Sequence, residues 1–388
     1  MAKHSNSSLE NLFRPGCSKR SRCKAARAAR REAYWGRTSQ RRASAPTPQM
    51  GLFQQPGRGM WLALVLGALG LVFALTAGGP PPAAGAEAKK MAMIFPGSIQ
   101  DADYNTVGYM ALQEVGKTYN MQVSHSENVA VADAERITRE YVNAGYDIVA
   151  YHGGQFPTIP LKLAPLFPKV VFIQEASGPL PNAPANLWVI GRKWFRGFYV
   201  LGALGALTTK TNKIGFVGGV RIPDAIANLN GIQQAITEYN PKAQLIYAHV
   251  GDFNDPVKAR QVAEAQINAG VDFIIIFVNY GQYGVIEAAK AAPRPVLLTT
   301  HQTEKWDVAP KLFTASLNAH FVTPYKEVVG RILKGEKAGY HEMTVGRGLE
   351  ISDIRNVPPE VATKVRGIVK EVVAGKPIPE ITDKFVAP

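Results

Sequence analysis

Three short segments of this chain gather aromatic rings, amides and a carboxylate at close spacing. Gly97–Asn105 reads GSIQDADYN and brings Asp101, Tyr104 and Asn105 together. His152-Gly153-Gly154-Gln155-Phe156 is a second such segment, and Asn279-Tyr280-Gly281-Gln282-Tyr283 a third. Rings give a planar ligand faces to stack on, worth roughly 1–3 kcal/mol per base in nucleic-acid complexes, and amides and carboxylates read its edge. That chemistry suits a nucleobase-like heterocycle. The plainer reading of any one ring is that it closes the end of a core while the glycines make turns. Three such segments at equivalent positions weigh against that reading for the set.

Catalytic signatures are poor by comparison. Gly116-Lys117-Thr118 imitates the end of a phosphate loop, but Ala111 stands where its first glycine belongs, and the segment follows a helical pattern rather than a strand. Gly215-Phe216-Val217-Gly218-Gly219 lacks the full dinucleotide fingerprint and reads as a tight turn. The seven histidines show no metal spacing, and no G-x-S-x-G elbow occurs. His152 and His301 read as polar cleft residues. Asp101, Glu175 and His152 are the one set that could do acid–base work on a nucleoside. The expectation is a binding protein that is not an enzyme and has no cofactor and no metal.

The elements that must position these loops alternate in type. Apolar runs at Met91–Phe95, Asp147–Tyr151, Lys169–Gln174, Lys213–Val217, Gln244–Val250, Asp272–Val278 and Pro295–Thr299 predict buried parallel strands. Between them Tyr104–Gly116, Val131–Ala144, Gly197–Leu207, Asp224–Tyr239, Pro256–Ala269 and Gln282–Ala291 have helical spacing. Asn254-Asp255-Pro256 gives one helix a cap and a proline start, and Pro223-Asp224 offers another capping aspartate. This is α/β alternation of the doubly wound kind, run through two cycles, which suits two lobes better than one large sheet. In such sheets ligands collect outside the carboxyl ends of strands, where the three segments lie.

The net charge of +14 belongs to the leader. Residues 1–59 hold thirteen Lys/Arg against two Glu, about +11 of that total, so the basicity says nothing of nucleic acid and no nucleic-acid partner is expected. This leader reads as disordered or untranslated, with translation starting at Met1, Met50 or Met60. Residues 60–86, with the apolar run Trp61–Ala77 and the Ala84-Gly85-Ala86 end, read as a secretory signal peptide, either cleaved or kept as a membrane anchor. A periplasmic location follows. Both cysteines, Cys17 and Cys23, lie in the leader, which excludes a disulfide framework from the folded part.

Four stretches together resemble the basic membrane protein family, which includes bacterial purine-nucleoside receptors. They are GSIQDADYN at Gly97, TKTNKIGFVGGVRIP at Thr209–Pro223, VGDFNDPVKARQVAEAQINAGVDFI at Val250–Ile274 and YGVIEAAK at Tyr283–Lys290. The resemblance covers most of Lys89–Ile354. It implies a type I periplasmic-binding-protein fold, two doubly wound lobes with a hinge of three crossovers, and a small ligand held between them for an ABC permease of the inner membrane. A monomer is expected. On this basis lobe 1 is residues 87–191 plus 300–321 and lobe 2 is residues 192–299 plus 322–388, with hinge strands near Gly191, Thr300 and Phe321. A ligand-sensing module for a membrane signalling receptor is the alternative, and the sequence does not separate the two.

Asp101, Tyr104 and Asn105 match the family's Asp-x-x-Phe-Asn ligand loop, and Gly153 and Phe156 fall near its second loop. The chain departs elsewhere. The family's ribose-holding Val-Asp-Ser-Asp end becomes Thr299-Thr300-His301-Gln302, an acidic run becomes Arg192-Lys193-Trp194-Phe195-Arg196, and Asn318 stands where a lysine is frequent. Losing the carboxylate and gaining rings points to a purine base rather than an intact nucleoside. Arg192 and Arg196 either favour an acidic heterocycle such as urate or only line the hinge. The expected ligand residues are Asp101, Tyr104, Asn105, Gly153, Gln155, Phe156, Glu175, Trp194, Asn228, Asn279, Tyr280 and Thr300. Tyr104 and Phe156 are expected to stack on the ligand from the first lobe, with Asn279 and Tyr280 facing them from the second.

Overall fold

Lys90–Ile94 (β1), KMAMI, is buried along its whole length after the first residue. A strand with no polar alternate must be covered on both faces, as central parallel strands are. The computed structural model describes residues 88–386, so the leader at 1–59 and the signal segment at 60–86 lie outside the described residues. Around β1 the chain lays down Gln122–Ser126 (β2), Ile148–Tyr151 (β3), Val171–Ala176 (β4) and Leu187–Arg192 (β5), all in parallel, in the order β2-β1-β3-β4-β5. Tyr104–Tyr119 (α1), Val131–Asn143 (α2) and Thr158–Leu163 (α3) make the crossovers.

The pattern then repeats. Trp194–Thr208 (α4) leads to Lys213–Gly218 (β6), Pro223–Tyr239 (α5), Gln244–His249 (β7), Pro256–Asn268 (α6), Phe273–Phe277 (β8), Gln282–Lys290 (α7), Leu297–Gln302 (β9) and Phe313–Ala319 (β10). These strands pair in parallel as β10-β9-β8-β6-β7. The tail, Val322–Leu333 (α8), Gly339–Val345 (β11), Gly348–Ile351 (β12) and Pro359–Val373 (α9), stitches the halves together. β11 adds in parallel to β5, β12 adds antiparallel to β10, and the two meet. The result is a mixed α/β fold with two doubly wound halves, as the alternation predicts.

Three passages join the halves, at 192–194, 319–322 and 345–348. Gly191 and Phe321 adjoin the first two. Thr300 does not mark the third: it lies in β9, buried between β8 and β10 in the second sheet. The third passage is Gly346-Arg347-Gly348, whose glycines take φ +86° and +83°, a left-handed backbone that side chains resist. The expected assignment of residues 300–321 to lobe 1 is corrected accordingly. β9 and β10 pair within the second sheet, and it is α8 and β11, within 322–345, that pack on the first.

α4 is apolar on every side because it is buried on every side, against α5, α9 and strands of both sheets. It approaches α5 through glycines: a Cβ on Gly231 would stand 2.6 Å from the Phe195 carbonyl oxygen. Asp255 caps α6 as the sequence suggests, accepting from the N–H groups of Val257 and Lys258 at 3.0 Å each. Asp224 does not cap α5. Ile222 holds that position, and the Asp224 carboxylate turns elsewhere. Among the described residues no helix is long and apolar enough to cross a membrane.

Candidate ligand-binding cleft

The loop ahead of α1 is organised around one carboxylate. Asp101 accepts from the backbone N–H groups of Asp103 (2.9 Å), Asn105 (3.1 Å) and Thr106 (3.0 Å), and from the side chains of Asn105 (2.7 Å) and Thr106 (2.9 Å). Helix starts leave such donors unpaired, so Asp101 caps α1 from within its own loop. Ala102 takes φ +53° in that turn. Asp101 and Asn105 are thereby occupied with each other, and the loop's outcome is the placement of Tyr104.

Beneath Tyr104, Glu175 is fully buried on β4 and collects partners. The hydroxyls of Tyr104 and Tyr325 donate to it at 2.6 Å each, Arg192 Nη1 donates at 3.0 Å, and His152 Nδ1 stands 2.5 Å away. His152 Nε2 lies 2.9 Å from the Tyr104 carbonyl, which only accepts, so Nε2 carries a proton and Nδ1 shares another with Glu175. Burial works to lift the Glu175 carboxyl, but His152 and Arg192 outweigh it and hold the group below the usual carboxylate range. The rings of Tyr104 and His152 stack with centroids 4.1 Å apart.

Arg192 carries this network across to the second half. Its Nη1 also donates to the Tyr104 hydroxyl at 2.6 Å, and its Nη2 donates to Asp224 Oδ2 at 2.7 Å. Gly154 makes room for the pair, since a Cβ there would lie 2.7 Å from Arg192 Nη2 and 2.9 Å from Asp224 Oδ2. Above them is a cavity of about 40 Å³. One ordered water needs roughly 10–15 Å³, and ligand pockets run to ~300 Å³ or more, so the cleft is contracted.

Both halves line it. The first supplies Pro96, Tyr104, Gly154, Gln155 and Arg192. Trp194 enters from the start of α4, and the second half adds rings at Phe253, Phe277 and His301. Polar atoms come from Asp224, Asn254, Asn279 and Gln302. His301 sits within 5.0 Å of Phe277, 5.9 Å of Phe198 and 6.2 Å of Trp194, centroid to centroid. Burial, with Lys305 and Arg192 nearby, presses its pKa down to about 3, so the ring is neutral. Gln302 holds φ +71° at the cavity wall, a strained position for a residue with a side chain.

Of the residues singled out from the sequence, Tyr104, Gln155, Trp194 and Asn279 line this cavity. Gly153 is adjacent, its carbonyl accepting from Gln174 at 2.8 Å. Glu175 and His152 lie beneath the wall rather than on it, which leaves the acid–base set without access. Phe156 does not stack on the cleft: it is fully buried against Tyr151 in the core of the first half. Tyr280 is 47% exposed and leans on Tyr283. Thr300 is buried and donates to Gln282 Oε1 at 2.8 Å, while Asn228 lies one turn beyond Asp224 on α5, away from the cavity. The sequence reading missed Asp224, taken for a cap, and the Phe253-Asn254 pair. Both follow strand ends, the one signal that could have found them. Among the described residues no group of three His, Cys, Asp or Glu could hold a metal ion.

The family model described as ABC transporter substrate-binding protein, PnrA-like, matches residues 88–350. A purine-binding protein of Brucella abortus is 30% identical over 198 residues, 50% of this chain and 55% of that protein. A Haloferax volcanii protein named for glucose binding by an ABC transporter is 27% identical over 202 residues, 51% of this chain and 50% of its own. The chain thus spans about half the length of the curated relatives it matches. A solved solute-binding protein of an ABC transporter from Conexibacter woesei superposes with a TM-score of 0.59 at 22% identity, covering 76% of this chain and 99% of that one. At that identity the likeness shows the fold alone.

Proposed function

Because the chain belongs to the PnrA-like family of ABC-transporter substrate-binding proteins, we propose that it captures a small planar ligand of the purine-base or nucleoside class between its two halves and delivers it to a membrane permease. The observation that carries this reading is the cleft itself. Tyr104, Trp194, Phe253, Phe277 and the neutral His301 converge there with Gln155 and Asn279, ring faces for stacking and amides for the edge. The halves act as lobes that close on the ligand, Gly191, Phe321 and the Gly346-Arg347-Gly348 turn serving as hinges. Such a role places the folded part outside the cytoplasm, which a signal peptide at 60–86 would achieve.

Within that class a free base fits better than a riboside. The β9 end carries Thr300, His301 and Gln302 where a carboxylate would grip a sugar diol. Calorimetric titration of the full chain with purine bases and their ribosides tests this. Bases are expected to bind near micromolar, about −8 kcal/mol, and ribosides more weakly. Tight binding of adenosine or guanosine with no response to any base would remove the base reading.

A further inference from the structure

Resting on the heterocycle reading above, the polar inventory of the cleft selects among members of that class. A lone guanidinium at the wall would draw an anion. Arg192 is not alone. It donates to Glu175 at 3.0 Å and to Asp224 at 2.7 Å, so one guanidinium faces two carboxylates, and His152 shares its proton with the first of them. Lys305, the next buried cation, is held by the Ala102 carbonyl and Thr303 and does not line the cavity. Arg192 is the one lysine or arginine among the lining residues, and Glu175 and Asp224 take up its charge.

What is left over is acceptor oxygens. Asp224 uses only Oδ2 for Arg192; its Oδ1 is buried and has no hydrogen-bond partner. Asn254 Oδ1 and Gln302 Oε1, on the same cavity, are in the same condition, against one unpartnered guanidinium donor, Arg192 Nε, and one unpartnered ring nitrogen, His301 Nδ1, which donates or accepts by tautomer. Buried acceptors left unpaired are costly, and a ligand that brings N–H groups removes that cost. Asp224 is 4% exposed and lies in the first turn of α5, where the helix dipole favours a carboxylate. Its bond to Arg192 fixes the carboxylate plane, which aims the free oxygen before any ligand arrives.

We propose that Asp224 is the specificity residue of this cleft: clamped by Arg192, it accepts an N–H from a neutral, amino-bearing planar heterocycle, while an anionic one such as urate finds no unpaired cation at the cavity wall. The balance of charge thereby decides against the acidic ligand that the arginines at 192 and 196 suggest in sequence.

The test is calorimetric titration of the full chain and of its Asp224→Asn variant with adenine, 2,6-diaminopurine, adenosine and urate. The wild-type chain is expected to bind the two amino-bearing bases and not urate. The variant is expected to lose about 10- to 100-fold in affinity for those bases, the range for a hydrogen bond to a charged group. Urate binding tighter than adenine, or a variant within two-fold of wild type for adenine, would overturn the proposal. If the variant fails to fold, the wild-type contrast between adenine and urate decides alone. Preferred binding of urate sinks the Asp224 assignment and leaves the heterocycle reading standing, whereas silence with all four ligands sinks both.

Discussion

Glu175 shows how a residue can govern a cleft it never touches. It is fully buried and holds Tyr104, Tyr325, Arg192 and His152 in one arrangement. Removing one member of a buried ion pair leaves the others uncompensated and costs ~3–5 kcal/mol. Glu175→Gln is expected to lower stability by that order in urea denaturation, and to loosen Tyr104 at the cavity. The pH dependence has a definite sign. The folded-state pKa is depressed below an unfolded value of about 4.3, so the stabilisation is present above that pH and is lost as pH falls through the folded value. The wild-type protein should therefore lose more stability than the variant on acidification; equal acid profiles would show that the carboxylate is not the hub. In the sequence, Glu175 reads as a ligand residue and a member of an acid–base set, because its part as a buried hub lies in four partners drawn from the residue after β3, α1, α8 and the end of β5. Gln155 and Asn279 were legible for the opposite reason: each sits on a loop directly after a strand, where chain position alone predicts exposure to a ligand, and Tyr104 opens the helix that follows such a loop. Phe156 has the same sequence position and was read the same way, yet its ring turns into the core, and nothing local distinguishes the two cases.

Most strands buried on both faces were legible, β5 (LWVIGR) being an exception. β1, β3, β6 and β8 are unbroken apolar runs, since both of their faces are covered. β2 reads QVSHS and was missed, an edge strand that is only half-buried. β10 was missed because Thr314 and Ser316 lie fully buried within it, satisfied by the Leu298 and Thr303 carbonyls. β11 and β12 carry the third passage between halves, and no apolar period announces them, so the lobe boundaries went astray there. Helix contacts between α4 and α5 yield a prediction with a decisive sign. In a free helix Gly→Ala stabilises by about 1 kcal/mol. At Gly231 the new methyl would stand 2.6 Å from the Phe195 carbonyl, backbone that is fixed inside α4. Overpacking of that kind costs typically ~1–3 kcal/mol. Gly231→Ala is therefore expected to lower the urea midpoint, and a raised midpoint would show that the helices are free to separate.

At the scale of the whole molecule the two halves are held by more than their three passages. Gln282 Nε2 on α7 donates to Asp103 Oδ2 at 2.5 Å, and Thr303 and Lys305 reach the Ala102 carbonyl at 3.2 and 3.3 Å. Every one of these bonds joins the loop before α1 to the second half. Burial pushes the Asp103 carboxyl up to about 8; Lys305 opposes the shift, nearby Asp101 adds to it and Gln282 opposes it again, with Tyr283 also facing the group. When the halves part, Asp103 returns to water and to an ordinary value of about 3.9. Closing therefore takes up a proton between about pH 4 and 8, and each unit of rising pH in that window weakens the closed form by up to about 1.4 kcal/mol. Asp224, also raised by burial, adds to the same trend if its carboxylate is exposed on opening, so a substitution is needed to isolate Asp103. Fluorescence transfer between dyes on α2 and α6, one in each half, with Cys17 and Cys23 replaced by serine, reports closure directly. The closed population is expected to fall as pH rises from about 5 to about 8 in the wild-type chain, and to respond much less in Asp103→Asn. An unchanged response in the variant would assign the pH dependence to other groups, and a population that rises with pH would contradict the buried acid as a latch.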